Sequence, residues 1–411
     1  MTLIHPFLAP TLVSLGRLLD PASATLPQEP GTDDAAAAEA HDFGGLTGDW
    51  DGVRGRLADS GVEFGASLWF DTYHLASGGL DRRTSTGAYL DLLATFDLET
   101  LFGLEKAAVV ANAYAINGTN PSNHAGDFQY FSNIANDFHV EQLGQLFYEQ
   151  YLFDEQVRIK LGKTDANAEF AVVQGGLEFV SSSAGFSPTI FAMPTYPDPA
   201  TCVTAFFDPN EHWHLGAGVF DGATMAGYHL GSRGPSTFFG SPSDLFFIAE
   251  ANYLWTAGSD ELAGRCALGG WQHTGDFATF SGGNDKGTGG LYAICEQELA
   301  RVGDGTLASF LQYGSADEDV SACDQHLGAG VTLAGGCGRA DDAVGFYFSQ
   351  AHFADGAGTS ASAEHAFEVF YRCQARSWLV VKPDVQYITD PGGDSSVDAA
   401  LALTLRLQID F

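Results

Sequence analysis

Residues Leu401 to Phe411 read LALTLRLQIDF, and along this stretch leucine or isoleucine alternates with small or polar residues. An extended strand points successive side chains to opposite faces, so one face of this segment is apolar and the other meets water. The alternation continues for about ten residues, which a tilted strand needs to cross a bilayer, whereas strands of soluble proteins average about five or six. The segment therefore predicts one strand of a transmembrane sheet.

The same alternation recurs along the chain. Apolar residues occupy the even positions from Val62 to Asp71 and again from Tyr89 to Leu98. Glycine-rich turns separate these segments from further short candidates. The further candidates are residues 109–116, 156–163, 213–220, 246–255, 290–298, 307–314, 344–350 and 366–374. We therefore predict an all-β fold, a transmembrane antiparallel β-barrel.

One short helix is also predicted. Trp50, Val53 and Leu57 recur at three- and four-residue spacing, which is typical of one face of a helix. The helix should lie between Asp49 and Ser60, before the first strand.

Composition excludes several classes of protein. The 411 residues include 52 acidic and 18 basic side chains, so the net charge is −34, and a nucleic acid is not an expected partner. With 45% hydrophobic and 17% charged residues, the chain is too apolar for a disordered protein. It contains no apolar run of about 18 residues, so no spanning helix is predicted, and a closed sheet is the other structure that can cross a membrane.

The beginning of the chain resembles a targeting segment. An apolar stretch from Phe7 to Leu19 is followed by the small residues of Ala22 to Ala24, which is typical of a secretory signal peptide. Arg17 interrupts the stretch and no basic residue precedes it, so the match is imperfect. We predict a signal peptide over residues 1–24, a flexible linker over 25–42 and the barrel over 43–411.

The sequence contains few candidate motifs for catalysis or metal binding. His212 and His214 would share one face of a strand, but no third metal ligand is in view, so solvated polar side chains are the favoured interpretation. The acidic stretches at residues 317–319 and 341–342 lie in turn-like contexts and are expected in so acidic a chain. We predict no catalytic residues, no cofactor and no metal site.

The six cysteines form no CxxC pair. An even number in an exported chain permits disulfides, for instance between Cys323 and Cys337, but buried free thiols are equally compatible with the sequence. The six are Cys202, Cys266, Cys295, Cys323, Cys337 and Cys373.

The rare basic residues indicate where a channel would be lined. Alternation turns Arg158 and Lys160 inward, and Lys163 follows at the end of the same strand. On a later strand Glu368 and Arg372 share the inward parity. These five residues are the candidate pore-lining residues. Charges of both signs around a constriction would orient hydroxylated solutes, although ordinary charge balance in a wet lumen explains them equally well.

Two motifs resemble those of a known family. Residues Leu46 to Val62 read LTGDWDGVRGRLADSGV and resemble the opening signature of the carbohydrate-selective porins of the OprB family. Residues Glu368 to Gly393 resemble the late segment of that family, in which a tryptophan-containing turn leads to P-D-x-Q-Y and then P-G-G. Residues 148–163 and 338–345 also fit, so the resemblance runs from about Leu46 to Phe411.

The resemblance implies a barrel of sixteen strands in the outer membrane of a Gram-negative-type bacterium. It implies passive diffusion of carbohydrates and small solutes through a water-filled channel, contact with outer-membrane lipid, and, by analogy with porins in general, a homotrimer. Asp51 departs from the family by replacing a usual glycine, and the six cysteines and the strong acidity are also unusual. An acidic mouth depletes anions within a Debye length of about 8 to 10 Å, which puts any preference for anions in doubt.

Two other functions are compatible with the sequence. The first is a secreted β-sandwich that binds or hydrolyses polysaccharide outside any membrane. The second keeps the barrel but makes it a structural or surface-attachment protein.

Overall fold

A computed structural model of the protein describes residues 44–335 and 338–411. Within them, sixteen antiparallel strands form one closed barrel, in which each strand pairs with its sequence neighbours and β16 pairs with β1. The strands are β1 (Val62–Ser77), β2 (Thr84–Asp97), β3 (Ala107–Gly118), β4 (Val140–Leu152), β5 (Val157–Thr164), β6 (Ala200–Asn210), β7 (Trp213–Asp221), β8 (Leu245–Ala257), β9 (Leu262–Ala278), β10 (Asn284–Val302), β11 (Gly305–Ala316), β12 (Cys323–Ala334), β13 (Ala343–Phe353), β14 (Ala363–Arg376), β15 (Leu379–Thr389) and β16 (Ala400–Asp410). The predicted barrel is confirmed, and the alternative of two packed sheets is not supported.

Helices are few and short in the described residues. They are α1 (Val53–Asp59), α2 (Leu98–Phe102), α3 (Ser122–Ala125) and α4 (Ser182–Gly185). The predicted helix before the first strand is confirmed by α1. None of the helices in the described part of the chain has the length and apolar character that a membrane crossing requires.

Strand alternation separates two environments, as β16 shows. Ala402, Thr404 and Arg406 are buried inside the barrel, whereas Leu403 and Leu405 on the opposite face are 36% and 44% exposed. On this strand the outer face therefore presents apolar side chains, and the inner face carries small, polar and charged ones.

The two rims of the barrel differ. One rim carries mostly short turns, such as residues 153–156, 211–212 and 303–304. We call it the short-turn rim. The opposite, long-loop rim carries the β3–β4 loop (residues 119–139), the β5–β6 loop (165–199) and the β7–β8 loop (222–244).

The segment before β1 clamps the seam between the first and last strands. The Leu46 backbone N–H donates to the Asp410 carbonyl at 2.7 Å, which extends the pairing at the end of β16. The Arg54 guanidinium donates to the Phe411 carbonyl at 3.1 Å and to the Phe64 carbonyl at 2.8 Å, so one side chain from α1 holds both strands of the seam.

Asp51 lies in the turn that leads into α1. Its φ of 55° falls in the left-handed region, which glycine adopts most easily and which Asp tolerates better than most residues. The family motif usually has glycine at this position, which fits the left-handed backbone that the turn requires. Asp51 adopts the same backbone conformation with more strain than a glycine would.

A disulfide joins β9 to β10. Cys266 and Cys295 are directly opposite each other in the antiparallel register and are bonded through their sulfurs. Their chain neighbours Ala267 and Ile294 are buried inside the barrel, so the disulfide lies on the outer face. Cys202, Cys323 and Cys373 are free thiols, the first two buried, so the pairing of Cys323 with Cys337 offered as an example was wrong. Cys337 itself lies outside the described residues.

Candidate functional site in the barrel lumen

The β5–β6 loop folds into the barrel and packs against the inner wall. The Phe170 ring stacks on Phe206 of β6 at a centroid distance of 5.4 Å. Further along the loop, the Phe179 ring meets Phe370 of β14 at 4.9 Å and Tyr347 of β13 at 5.5 Å. The loop therefore crosses the lumen from one side of the wall to the other and narrows the passage.

Glutamates of the wall satisfy the backbone of this loop. Loop N–H groups that leave water need acceptors, because an unpaired buried donor is costly. Glu250 of β8 accepts from the Ala171 N–H at 2.7 Å, and Glu296 of β10 accepts from the Gly175 N–H at 2.7 Å. The loop is thus held at fixed points by carboxylates that project from the wall.

The first predicted cation pair meets two carboxylates. The Arg158 guanidinium lies 2.6 Å from Glu169 of the β5–β6 loop and 3.1 Å from Glu149 of β4. The Lys160 ammonium contacts Glu169 as well and lies 3.3 Å from Glu149. The Arg158 guanidinium also lies 4.2 Å from the centroid of the Phe206 ring. The two cations therefore anchor the start of the loop; the Arg158 side chain stays partly exposed, whereas Lys160 is fully buried.

Glu169 stays ionised in this setting. Burial acts to raise its pKa, but the Lys160 and Arg158 charges outweigh burial and lower the pKa of Glu169 to about 2. The pairing contributes stability that is present above the ordinary carboxylate pKa and is lost only as the pH falls through about 2.

A second cluster lies at the far end of the loop. The Lys382 ammonium on β15 lies 2.7 Å from the Glu178 carboxylate, and the Arg372 guanidinium on β14 lies 3.6 Å from it. Burial acts to raise the pKa of Glu178, but Lys382 and Arg372 outweigh it and lower that pKa. On the wall between the clusters, Arg265 lies 2.6 Å from Glu296.

Each of the basic side chains that line the lumen wall is paired with a carboxylate. Six basic side chains of the wall each touch at least one carboxylate. They are Arg158, Lys160, Arg265, Arg372, Lys382 and Arg406, and the carboxylates that they touch are Asp71, Glu149, Glu169, Glu178 and Glu296. Such a wall offers both hydrogen-bond donors and acceptors to a neutral hydroxylated solute.

The five sequence-predicted residues occupy four settings. Arg158 and Lys160 lie together, and Arg372 lies in the second cluster. Glu368 has the inward parity but is buried beneath the β5–β6 loop, where it accepts from the Val180 N–H at 2.5 Å.

Lys163 lies on the other face of the wall. It pairs in register with Leu146, which is outward and exposed, and its ammonium donates to the Leu143 carbonyl at 2.9 Å and to the Gly231 carbonyl. Strict alternation continues to the end of β5 and gives Lys163 the parity opposite to Lys160. Its placement corrects the expectation that it would share the inner face.

The candidate pore-lining residues predicted from the sequence left out the two loop acids and three wall cations, Arg265, Lys382 and Arg406. Glu169 and Glu178 are the only acidic residues in positions 166–197, a signal that could have marked them as partners for buried cations. Lys382 and Arg406 alternate with apolar residues on their strands and could have been found in the same way as Arg158.

The histidine stretch does not form a metal site. The His214 imidazole lies 2.6 Å from Asp208, while the His212 ring bonds the Leu254 carbonyl at 3.1 Å. In residues 44–335 and 338–411 no group of three or more His, Cys, Asp or Glu side chains is arranged to hold a metal ion.

Asp165 closes the neck of the β5–β6 loop and makes it sensitive to pH. Its carboxylate accepts from the Thr195 hydroxyl at 2.6 Å and from the Tyr196 N–H at 3.0 Å. Burial raises the pKa of Asp165 to about 6 from an ordinary value of 3.8. Because the folded pKa is raised, the stabilising contribution is full below about pH 4 and is lost as the pH rises through about 6.

We expect Asp165→Asn to remove this dependence. Between pH 4 and pH 7 the free energy of unfolding of the wild type should fall by about 1 to 3 kcal/mol more than that of the variant. Guanidinium unfolding in detergent at several pH values measures the difference. Asp137→Asn, on an exposed part of the β3–β4 loop, is the control. Parallel pH profiles for the wild type and Asp165→Asn would contradict the prediction.

Comparison with known proteins gives matches along most of the chain. The profile of the "Carbohydrate-selective porin, OprB family" matches residues 82–411. Porin B of Pseudomonas aeruginosa is 23% identical over 420 residues, covering 89% of this chain and 91% of that protein.

Solved structures share the fold. The high-pH structure of Pseudomonas putida OprB matches with a TM-score of 0.83 at 19% identity, covering 90% of this chain and 99% of that one. The low-pH structure of the same protein matches with a TM-score of 0.59 at 17% identity, with the same coverage.

Proposed function

Because the chain belongs to the carbohydrate-selective porin, OprB family, we propose that its lumen passes neutral sugars by diffusion between matched cation–carboxylate pairs. The protein is an outer-membrane porin. Its short-turn rim faces the periplasm and its long-loop rim faces outward, as is usual for such barrels. The observation that carries the proposal is the β5–β6 loop, which crosses the lumen and pairs its two acids with wall cations at either end.

Selection would come from hydrogen bonding and size. A sugar hydroxyl can donate to a carboxylate and accept from a guanidinium, so paired charges can replace the water that the sugar leaves behind. A free anion gains less, because each of the six wall cations already has a carboxylate partner. We propose Arg158 and Arg372 as groups that the solute meets. Lys160 is fully buried and acts through its contacts with Glu149 and Glu169, and Lys163 lies on the outer face.

Reconstitution tests the proposal directly. The purified protein in a planar bilayer should show discrete conductance steps, and a panel of mono- and disaccharides should block the ion current in a concentration-dependent way. Sugar-loaded liposomes should swell at rates that fall with sugar size. Absence of conductance steps and of swelling would contradict the transport function, and conductance without block by any sugar would contradict the sugar selectivity.

Several expectations from the sequence and from the comparison with porins stay predictions. The signal peptide of residues 1–24 and the linker of 25–42 lie outside the described residues, and mass spectrometry of the mature protein tests them. The homotrimer is tested by the mass of the protein–detergent complex in light scattering.

A further inference from the structure

Strand β14 carries two glutamates on its inner face, four positions apart. Glu364 and Glu368 are both essentially fully buried, and along an extended strand they are separated by about 13 Å. Each accepts hydrogen bonds from the backbone of a different inner loop.

Glu364 holds the β3–β4 loop. Its carboxylate accepts from the Phe128 N–H at 2.7 Å and from the Gln129 N–H at 3.0 Å. It also accepts from the Gly392 N–H at 2.7 Å, in the turn between β15 and β16. Gly392 has a φ of 64°, and a β-carbon there would lie 2.7 Å from the Gly126 carbonyl oxygen, so the turn and the loop are in close contact. One carboxylate thus joins three segments of the chain.

Glu368 holds the β5–β6 loop. Its two oxygens accept from the Val180 N–H at 2.5 Å and the Ser181 N–H at 3.0 Å. The adjacent Phe179 ring packs against Phe370, two residues further along β14, at 4.9 Å. The same strand therefore fixes this loop through both a carboxylate and an aromatic contact.

The two loops also bind each other. The Asn133 backbone N–H donates to the Val180 carbonyl at 2.8 Å, and its side-chain amide donates to the Phe179 carbonyl at 3.2 Å. The Ser182 N–H donates to the Tyr130 carbonyl at 3.0 Å. The strand and the two loops form a closed set of contacts, in which movement of one loop disturbs the other.

We propose that Glu364 and Glu368 are positioning residues that set the width of the passage by fixing both inner loops to one strand. The proposal rests on the proposed porin function. A carboxylate offers only acceptors to the loop N–H groups, whereas a glutamine offers an NH2 group that meets those donors unfavourably. Loss of either contact should let its loop move away from the wall without opening the barrel, because the strand ladder is untouched.

The test compares Glu364→Gln and Glu368→Gln with the wild type in planar bilayers. Each variant should raise the single-channel conductance about twofold and raise the glucose concentration for half-block about threefold, because the loop no longer holds one position. Glu63→Gln, an exposed position near the periplasmic end of β1, is the matched control and should change neither quantity. Heat-modified migration on gels shows in each case that the barrel has formed.

A second variant tests the proposal in case the Glu364→Gln and Glu368→Gln proteins do not fold. Asn133→Ala leaves both glutamates and the backbone bonds between the loops in place and removes the side-chain bond from Asn133 to the Phe179 carbonyl, so it should raise the conductance in the same direction but by less. Folded Glu364→Gln and Glu368→Gln channels with wild-type conductance and block would overturn the proposal; should neither fold, an unchanged Asn133→Ala channel would overturn it. Absence of glucose block in the wild type would instead count against the proposed function.

Discussion

Replacing Arg158 and Lys160 together by alanine is expected to make the channel strongly cation-selective. The two cations face Glu149 and Glu169 at distances of 2.6 to 3.3 Å, with the Lys160–Glu169 contact closer still. Their removal leaves two carboxylates without a partner beside the passage. The permeability ratio of potassium to chloride should rise on the order of tenfold, because the low-dielectric walls of a narrow, water-filled lumen focus the field of the unpaired carboxylates. The reversal potential in a potassium chloride gradient measures this ratio.

The same variant should also loosen the start of the β5–β6 loop, which Glu169 anchors. Arg301→Ala is the matched control, since Arg301 is exposed near the periplasmic end of β10 and pairs with Glu298 at 3.1 Å. We expect the control to leave the reversal potential within a few millivolts of the wild type, as surface pairs contribute little. An unchanged reversal potential and unchanged sugar block in the double variant would remove Arg158 and Lys160 from the passage.

Arg406→Ala is expected to have the largest effect on stability. The Arg406 guanidinium makes a two-pronged contact with Asp71 at 2.8 and 2.7 Å, and both side chains are buried. It also donates to the Asn133 side-chain oxygen at 2.8 Å, which supports the β3–β4 loop. Truncation leaves the Asp71 charge buried and alone, which costs about 3 to 5 kcal/mol. The temperature at which heat-modified migration is lost should fall accordingly.

A double variant separates the lost charge from the lost packing. Arg406→Met with Asp71→Asn removes both charges and keeps much of the volume, so it should recover most of the stability that Arg406→Ala loses. If the double variant is as unstable as Arg406→Ala, the unpaired Asp71 charge is not the cause. The stacking of Arg406 over Trp69 at 4.8 Å would then be the feature to examine.

Strand alternation made much of the barrel predictable. In β16 and β1 apolar and polar side chains alternate with a strict period of two, because one face of the wall meets lipid and the other meets water. Every inward or outward assignment in Leu401 to Phe411 follows from this alternation. Strand β9 was missed because glycines at 264, 269, 270 and 275 blur the pattern. Its Gly269 leaves room for the Tyr292 ring, a contact between strands that no local pattern reports.

The site was less predictable than the wall. The alternation correctly predicted that Arg158, Lys160 and Arg372 point inward. It carries no information on the conformation of a long loop, so the loop carboxylates Glu169 and Glu178 could not be predicted as their partners. Glu368 was read as pore-lining because parity says only which way a side chain points, and the loop that covers it comes from 187 residues earlier in the chain. The disulfide between Cys266 and Cys295 depends on the register of β9 against β10, which the sequence does not state.

The seam at Phe411 has a practical consequence for labelling. A β-carbon on Gly45 would lie 2.4 Å from the Phe411 carbonyl carbon, and Arg54 bonds the carbonyl oxygen. An affinity tag fused after Phe411 would begin in this crowded corner and compete with the clamp. The hairpin tip at residues 281–283, exposed on the opposite rim, is the better place to insert an epitope, and an antibody could then reach it on intact cells.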